Sequence, residues 1–216
     1  LGLPVVAISL LDVPPAEAVN MNPQVADEAA AYDKGFADGV RIIAEVFGKQ
    51  AEGTALVEAA TATRALLAER LADVAPAERV RAYMANPDLT TYGSGKYTGL
   101  MMERAGALNV AAASIKGYKQ VSMEQSLAWN PAVTFVPDRY PLVVGEIRDG
   151  AAWQAIDAVR HGRVHLMPEY AKAWGYPMPE AQALGELWMA QTLYPQRFAD
   201  IDMDARADAY YRRFYR

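Results

Sequence analysis

The chain has 216 residues, of which 52% are apolar and 22% charged, and its net charge is −5. This ordinary globular composition argues against disorder, and no run of lysine and arginine forms the basic stripe typical of nucleic-acid-binding proteins. Cysteine is absent, which excludes disulfides, thiolate catalysis and zinc–thiolate sites. No apolar run approaches the length needed to span a bilayer, so membrane insertion is not predicted.

The first predicted elements are a short strand and a long helical region. The apolar run at residues 5–10 predicts the strand. The chain begins at this run without methionine or a signal peptide, so we expect that residues upstream of it are missing. Residues 24–75 are rich in alanine and contain no proline, which predicts helix on both sides of an interruption at Gly48.

A strand, a glycine-containing loop and a helix then follow in direct succession. Val80, Ala82 and Met84 alternate with their neighbours, which predicts a strand with one buried face. Residues 92–97 form the loop, and the helix ends at Gly106. In open α/β folds, ligands bind where such a loop leads into a helix N-terminus, so this loop is the first candidate site. Its glycines match neither a Walker A motif nor a dinucleotide-binding motif.

The rest of the chain alternates strands with helices. A capping box, Ser122 with Gln125, marks one helix start. The fold class predicted is α/β, namely one Rossmann-like lobe with a mainly parallel central sheet flanked by helices, preceded by a long connecting helical region. The remaining predicted strands are 109–113, 133–136 and 163–167, and the remaining helices are 121–129, 151–161, 181–194 and 203–215.

Aromatic and cationic residues in the loops after strands are the candidate ligand contacts. Aromatic faces suit a metal chelate or macrocycle, and cations suit an anion, although each side chain could instead be a packing residue. The candidates are Tyr92, Ser94, Lys96, Tyr97, Arg139, Tyr140, Tyr170 and Trp174. No metal ligand is assigned, because His161 lies at a helix C-terminus and His165 within a strand.

No catalytic arrangement emerges from the sequence. Serine, histidine and carboxylate do not meet in a known nucleophile motif. Asp138 and Glu169 could form a carboxylate pair, but no spacing supports one. The chain is therefore predicted not to be an enzyme, and no cofactor is expected.

Four phrases carry a resemblance to a known family. In chain order they are NPD…TYGSG at 86–95, AGALNVA at 105–111, VSMEQSLAWNP at 121–131 and AIDAVRHGRV at 155–164. Together they resemble the C-terminal lobe of an ABC-importer substrate-binding protein of the iron-siderophore, haem and cobalamin class. The resemblance divides the chain into residues 1–22, a remnant of the N-terminal lobe with a linker, the connecting helices 23–75, and the C-terminal α/β lobe 76–216.

The resemblance implies a binding mechanism and partners. Two lobes would close on a ligand, most of the N-terminal lobe would be absent here, and the loops 92–97, 138–140 and 169–174 would line the cleft. Glu124 would dock on arginines of the ABC permease. A periplasmic monomer is expected, or a lipid-anchored extracellular one in a Gram-positive organism.

The expected ligand is an iron complex or a related metal chelate. The alternative ligand is molybdate or tungstate, held by Lys96, Arg139 and the amides of the 92–97 loop. Two other classes remain open, namely an α/β enzyme whose site is shared with the missing lobe and an interaction module without a small ligand.

Overall fold

The structure is a computed structural model that describes residues 5–17, 19–20 and 23–215. In this part of the chain, no helix combines the length and apolar character needed to cross a membrane. The helices are α1 Glu28–Phe47, α2 Gln50–Arg70, α3 Tyr97–Arg104, α4 Met123–Trp129, α5 Pro141–Asp149, α6 Asp157–Arg160, α7 Glu186–Leu193 and α8 Met203–Phe214. The strands are β1 Val80–Met84, β2 Thr90–Tyr92, β3 Ala107–Asn109, β4 Tyr118–Gln120, β5 Val133–Val136 and β6 Val164–Leu166.

The central sheet consists of four parallel strands in the order β3–β1–β5–β6. Ala82 and Met84 pack into a core with α3 and α7, whereas Tyr83 packs into a second core with α4 and α5. Both faces of β1 are therefore covered, and the expectation of a single buried face was wrong, because helices cover both sides of a parallel sheet. The predicted α/β class with a mainly parallel sheet is confirmed.

A second, two-stranded sheet was not predicted. The strands β2 and β4 pair antiparallel, which places Tyr92 opposite Tyr118. All three β4 residues are exposed, so their sequence carries no apolar alternation. The hydroxyl of Thr91 donates to the carbonyl of Met84 at 2.7 Å, which fixes this small sheet at the carboxyl end of β1.

The connecting region consists of two helices joined at Gly48, as predicted. Gly48 adopts the left-handed conformation with φ of 63°, and its N–H donates to the last carbonyls of α1. Helix α2 ends at Arg70, so the helical structure stops short of residue 75.

The predicted N-terminal strand does not form among the described residues. Residues 5–9 have no strand pairing, and the Val5 side chain is 86% exposed. The segment instead crosses α1 at Gly35, where a Cβ atom would lie 2.6 Å from the carbonyl carbon of Leu10. Apolar character alone predicted the strand, but a strand also requires a neighbouring edge. Parts of the segments predicted from the sequence lie outside the described residues, namely 1–4, 18, 21–22 and 216.

The helix predicted at 151–161 is replaced by two shorter elements. Helix α5 precedes it and begins at Pro141, which suits the first helical turn. It is followed by a 3-10 turn, Ala151–Trp153, and by the short α6. The side chain of Asn130 accepts a hydrogen bond from the Asp157 amide at 2.8 Å, so a distant residue sets the start of α6.

A buried ionic network joins the connecting helices to the lobe. Glu186 on α7 is fully buried, and its Oε1 accepts hydrogen bonds from the Tyr97 hydroxyl at 2.7 Å and from Arg104 at 3.3 Å. Arg104 also donates to Asp33 on α1 at 2.7 Å. Burial raises the pKa of the Glu186 carboxyl, against the opposing effects of Arg104 and Tyr97. The orientation of α1 on the lobe therefore depends on a desolvated carboxylate with one cationic contact.

A π-helical turn, Ala181–Gly185, precedes α7 and contacts α2. The Thr63 hydroxyl donates to the Ala183 carbonyl at 2.7 Å, and Arg64 donates to the Gln182 side chain at 3.1 Å. Such turns widen the helix and release a carbonyl from the regular hydrogen-bond ladder. Here the connecting helix supplies the missing donor.

Candidate functional site

The strongest candidate site surrounds Arg139, at the carboxyl end of β5. Its guanidinium carbon lies 5.2 Å from the ring centroid of Tyr140 and 5.0 Å from that of Trp174. The indole N–H of Trp174 donates to the Asp138 carboxylate at 3.1 Å, which joins the loop after β5 to the loop after β6. Arg139 itself is exposed, and no carboxylate within the described residues pairs with its guanidinium. The geometry therefore presents a cation fixed by two aromatic rings and open to an anion.

Tyr92 connects this cation to the small sheet. Its ring centroid lies 4.6 Å from that of Tyr118, and its electrostatic neighbours include Arg139, Tyr140 and Tyr176. The pKa of the Tyr92 hydroxyl is raised to about 12, mainly by burial and to a smaller extent by the nearby Tyr118. At neutral pH this group therefore stays protonated and can donate a hydrogen bond. We call Tyr92, Tyr118, Arg139, Tyr140, Trp174 and Tyr176 the Arg139 cluster.

Gly175 holds the loop after β6 against Tyr92. It adopts φ of 88°, and a Cβ atom there would lie 3.1 Å from the Tyr92 ring. Its amide donates to the buried Thr98 hydroxyl at 2.9 Å, in the first turn of α3. The positive φ and the close approach to the Tyr92 ring both favour glycine, and these contacts tie the loop after β6 to Tyr92 of β2 and to Thr98 of α3.

Three amides of the 92–97 loop already have hydrogen-bond partners. The amides of Gly93, Ser94 and Gly95 donate to Gly117 O, Ile115 O and the Glu28 carboxylate, respectively. Their distances are 3.0, 3.0 and 3.1 Å. The expectation that these amides bind an oxyanion was wrong for these three groups, because residues distant in sequence already accept from them.

The structure brings together Tyr92, Arg139, Tyr140 and Trp174 but places the other predicted residues elsewhere. Tyr97 is fully buried on Glu186, and its pKa is raised well above the ordinary value, mainly by burial. Ser94 donates weakly to Ile115 and lines a cavity of about 210 Å³ beside Arg79 and Asn109. Neither residue has a geometry that supports ligand contact in the Arg139 cluster.

Lys96 and Tyr170 also lie outside the defined cluster. Lys96 is the N-cap of α3 and partly exposed, and its role in binding stays a prediction. Tyr170 is half-buried, with Asp204 and Tyr211 of α8 as electrostatic neighbours, and burial raises its pKa to about 12. Its surroundings indicate packing against the C-terminal helix.

The polar residues considered for catalysis or metal binding do not converge. Asp138 holds the Trp174 indole, whereas Glu169 pairs with Lys172 at 3.5 Å. His161 Nδ1 lies 2.8 Å from the Asp157 carbonyl, and burial lowers the pKa of His165. Across the described residues, no group of three or more histidine and acidic side chains could hold a metal ion.

Three residues near the candidate site were not singled out from the sequence. Tyr118 lies in the unpredicted strand β4, and Tyr176 is 64% exposed in the loop after β6. Lys172 lies within the loop 169–174, which was expected to line the cleft, and its ammonium is 5.0 Å from the Trp174 ring centroid. Because that loop follows the end of β6, its position could have identified Lys172 as a candidate ligand-binding residue.

Comparison with known proteins gives a close match. A family model described as periplasmic binding protein matches residues 7–171. The molybdate-binding protein MolA of Haemophilus influenzae is 60% identical over 215 residues, which is 100% of this chain and 61% of that protein. A solved structure of MolA bound to molybdate has a TM-score of 0.94 at 60% identity and covers 99% of this chain and 66% of that chain. The chain thus spans less than two thirds of the length of these relatives.

More distant structures share the fold alone. A periplasmic solute-binding protein from Veillonella parvula has a TM-score of 0.75 at 24% identity, covering 84% of this chain and 56% of its own. CeuE of Helicobacter pylori with Ni(II) bound has a TM-score of 0.71 at 19% identity, covering 84% and 58%.

These findings correct the predicted class and agree with two other expectations. The expectation of a periplasmic binding protein is confirmed, whereas the relative at 60% identity is described as binding molybdate, which was the alternative ligand, and not the iron chelate that was expected first. The family and the close relative are described as periplasmic binding proteins, which agrees with the predicted periplasmic location and with a binding rather than a catalytic role.

Proposed function

Because the chain belongs to the periplasmic binding protein family, we propose that it is the substrate-binding component of an ABC importer for a tetrahedral oxyanion of the molybdate or tungstate type. The solved relative at 60% identity is described as the molybdate-binding protein cognate to an ABC transporter. The observation that carries the proposal for this chain is the exposed Arg139 guanidinium, fixed on Tyr140 and Trp174.

The chemistry of Arg139 suits an oxyanion. A guanidinium presents five N–H donors in a planar fork, and paired donors of this kind bind two oxygens of one anion. The two flanking rings attract the cation, while none of its N–H donors is paired with a carboxylate among the described residues. The protonated Tyr92 hydroxyl supplies a neutral donor in the same cluster, since burial raises its pKa to about 12.

A metal chelate is the second candidate ligand. The exposed Tyr176 and the rings of Tyr140 and Trp174 form an aromatic surface that could contact the face of a chelate. The cluster is built around a cation, and burial raises the pKa of the Tyr92 hydroxyl, so loss of its proton to ferric iron is less favourable than for an exposed tyrosine. The oxyanion is therefore favoured.

Replacing Arg139 by glutamine tests the proposal. We expect the wild type to bind molybdate and tungstate in isothermal titration calorimetry, and the variant to bind about 10- to 100-fold more weakly, because one charge-assisted pair is lost. Arg139→Lys should recover only part of this loss, because lysine lacks the planar fork.

Arg160→Gln is the matched control, because Arg160 is an exposed arginine of α6 that pairs only with Asp157 among the described residues. Its affinity should equal that of the wild type. Binding of haem or a ferric siderophore, with no heat from either oxyanion, would instead establish the metal-chelate candidate.

We further propose that Glu124 docks on the permease. It is exposed in the first turn of α4, and hydrogen bonds from its own backbone amide and from Ser122 lower its pKa, so it stays ionised. Glu124→Arg should reduce molybdate uptake by about tenfold or more through like-charge repulsion, with ligand affinity unchanged. A reciprocal Arg→Glu change in the permease should restore uptake. Equal loss from Glu146→Arg, an exposed carboxylate on α5, would contradict a specific role.

A further inference from the structure

A second cation shares the aromatic ring on which Arg139 rests. The Lys172 ammonium lies 5.0 Å from the Trp174 ring centroid, and the Arg139 guanidinium carbon lies 5.0 Å from the same centroid. The two cations are therefore at most about 10 Å apart, which is comparable with the Debye length at physiological ionic strength. An anion bound at Arg139 lies within the field of both.

The backbone of Lys172 is in an unusual conformation. It adopts φ of 41° and ψ of 47°, the left-handed region that glycine and asparagine normally occupy. Its carbonyl accepts from the Trp174 amide at 2.7 Å, and its own amide donates to Glu169 O at 3.2 Å. A lysine in a position suited to glycine is an observed outlier, and outliers of this kind are concentrated at functional sites.

The carboxylates near Lys172 hold it loosely. Its ammonium lies 3.5 Å from Glu169, whose side chain is 79% exposed, and 3.9 Å from the buried Glu180. Glu180 Oε1 also accepts a hydrogen bond from the Tyr215 hydroxyl. The Lys172 side chain is 13% exposed, and its ammonium donates a long hydrogen bond to Glu169. Both carboxylate distances exceed the roughly 2.7–2.9 Å of a strong charge-assisted hydrogen bond, so an anion at Arg139 can compete for the ammonium.

We infer that Lys172 is a second binding cation of the Arg139 cluster and gives it a preference for dianions over monoanions. The inference rests on the proposed function and deepens it, because two cations around one ring favour a doubly charged ligand more than a singly charged one. Arg139 supplies directed hydrogen bonds, and Lys172 supplies a second positive charge.

The test compares ligands of equal shape and different charge. Molybdate and tungstate are tetrahedral dianions, and perrhenate is a tetrahedral monoanion. Their dissociation constants are measured by competition calorimetry for the wild type and for Lys172→Met, which keeps the length of the stem. We expect the preference for molybdate over perrhenate to fall by about fivefold or more in the variant, while Lys172→Arg keeps most of it.

Two further variants separate charge selection from local packing. Lys49→Met is the control. It removes an exposed lysine at the N-cap of α2, outside the Arg139 cluster, and should leave the preference for molybdate over perrhenate unchanged. The double variant Lys172→Met/Glu180→Gln avoids an unpaired buried carboxylate and should lose the same preference as Lys172→Met. A wild-type preference in the double variant would show that the single variant acted through Glu180, and the inference would be overturned.

The remaining outcomes distinguish the inference from the proposed function. If the wild type binds molybdate and Lys172→Met keeps the full preference over perrhenate, the inference fails and the proposed function stands. If the wild type binds neither molybdate nor tungstate, the proposed function fails and takes the inference with it.

Discussion

Replacing Arg104 by methionine should lower the free energy of unfolding by about 3–5 kcal/mol at pH 7, because it leaves a buried charge without its cation. The Arg104 side chain is 11% exposed and contacts Glu186, whose side chain is 0% exposed. In the variant, Glu186 Oε1 keeps only the hydrogen bond from Tyr97. Urea unfolding followed by circular dichroism measures the loss.

The loss should depend on pH in a defined direction. Burial raises the pKa of Glu186 in the folded state, so the folded protein binds this proton more readily than the unfolded chain. A carboxyl of this kind favours folding below its unfolded pKa, and this contribution disappears as the pH rises through its folded pKa. Since removal of Arg104 raises the folded pKa further, the destabilisation should be smaller at pH 5 than at pH 7.

Two control variants isolate the buried charge. Arg104→Met/Glu186→Gln should recover a large part of the loss at pH 7, because the glutamine carries no charge. Arg160→Met removes a surface ion pair with Asp157 and should cost less than about 1 kcal/mol. An Arg104→Met loss that is equal at both pH values and insensitive to Glu186→Gln would rule out the desolvated carboxylate as its cause.

Local sequence patterns were sufficient for three strands of the central sheet, whereas the strand predicted at 109–113 overlaps the observed β3, Ala107–Asn109, at one residue only. The run Val133–Val136 was predicted as a strand with the bounds that the structure has, because its β-branched and aromatic residues are typical of a fully buried parallel strand. The helix at Ser122 was also predicted, and the Ser122 hydroxyl accepts from the Gln125 amide at 3.2 Å. Residues 5–10 are as apolar as a strand but have no edge to pair with, so their pattern misled.

Long-range partners explain what the sequence could not predict. Glu186 interrupts an apolar helix face, and the cation that makes its burial possible, Arg104, lies 82 positions away. Tyr97 directly follows a loop at the end of β2, as a ligand residue would, yet it donates to that same carboxylate. No local pattern distinguishes a tyrosine that faces a cleft from one that faces a buried acid.

The Arg139 cluster was partly predictable because the end of a parallel strand is a defined place. Arg139, Tyr140 and Trp174 follow β5 and β6, and neighbouring parallel strands end at the same edge of a sheet. Tyr118 enters the cluster from β4, whose three exposed residues showed no strand pattern. Arg139 and the two rings beside it, Tyr140 and Trp174, could therefore be predicted from the sequence. The antiparallel pairing of β2 with β4, which places Tyr118 in the cluster, could not be predicted.

Gly93 of the candidate loop packs against Gly99 of α3, and Gly99→Ala should destabilise the protein by about 3 kcal/mol through overpacking. A Cβ atom at Gly99 would lie 2.1 Å from the Gly93 carbonyl oxygen, and one at Gly93 would lie 1.9 Å from Ile115 O. Both neighbours are backbone atoms, which cannot move aside as a flexible side chain can. The first turn of α3 therefore packs directly on the loop that ends at Tyr97.

Gly145→Ala is the matched control for this substitution. Gly145 lies in α5, and the nearest atom to a Cβ there is the Asp149 carboxylate at 4.0 Å. Alanine at this site should stabilise the protein by about 0.5–1 kcal/mol, because it improves helix propensity without a clash. Thermal and urea unfolding of both variants measure the contrast. If Gly99→Ala proved as stable as Gly145→Ala, the close backbone contact between Gly93 and Gly99 would not exist in solution, and Tyr92 would lose the support that places it beside Arg139.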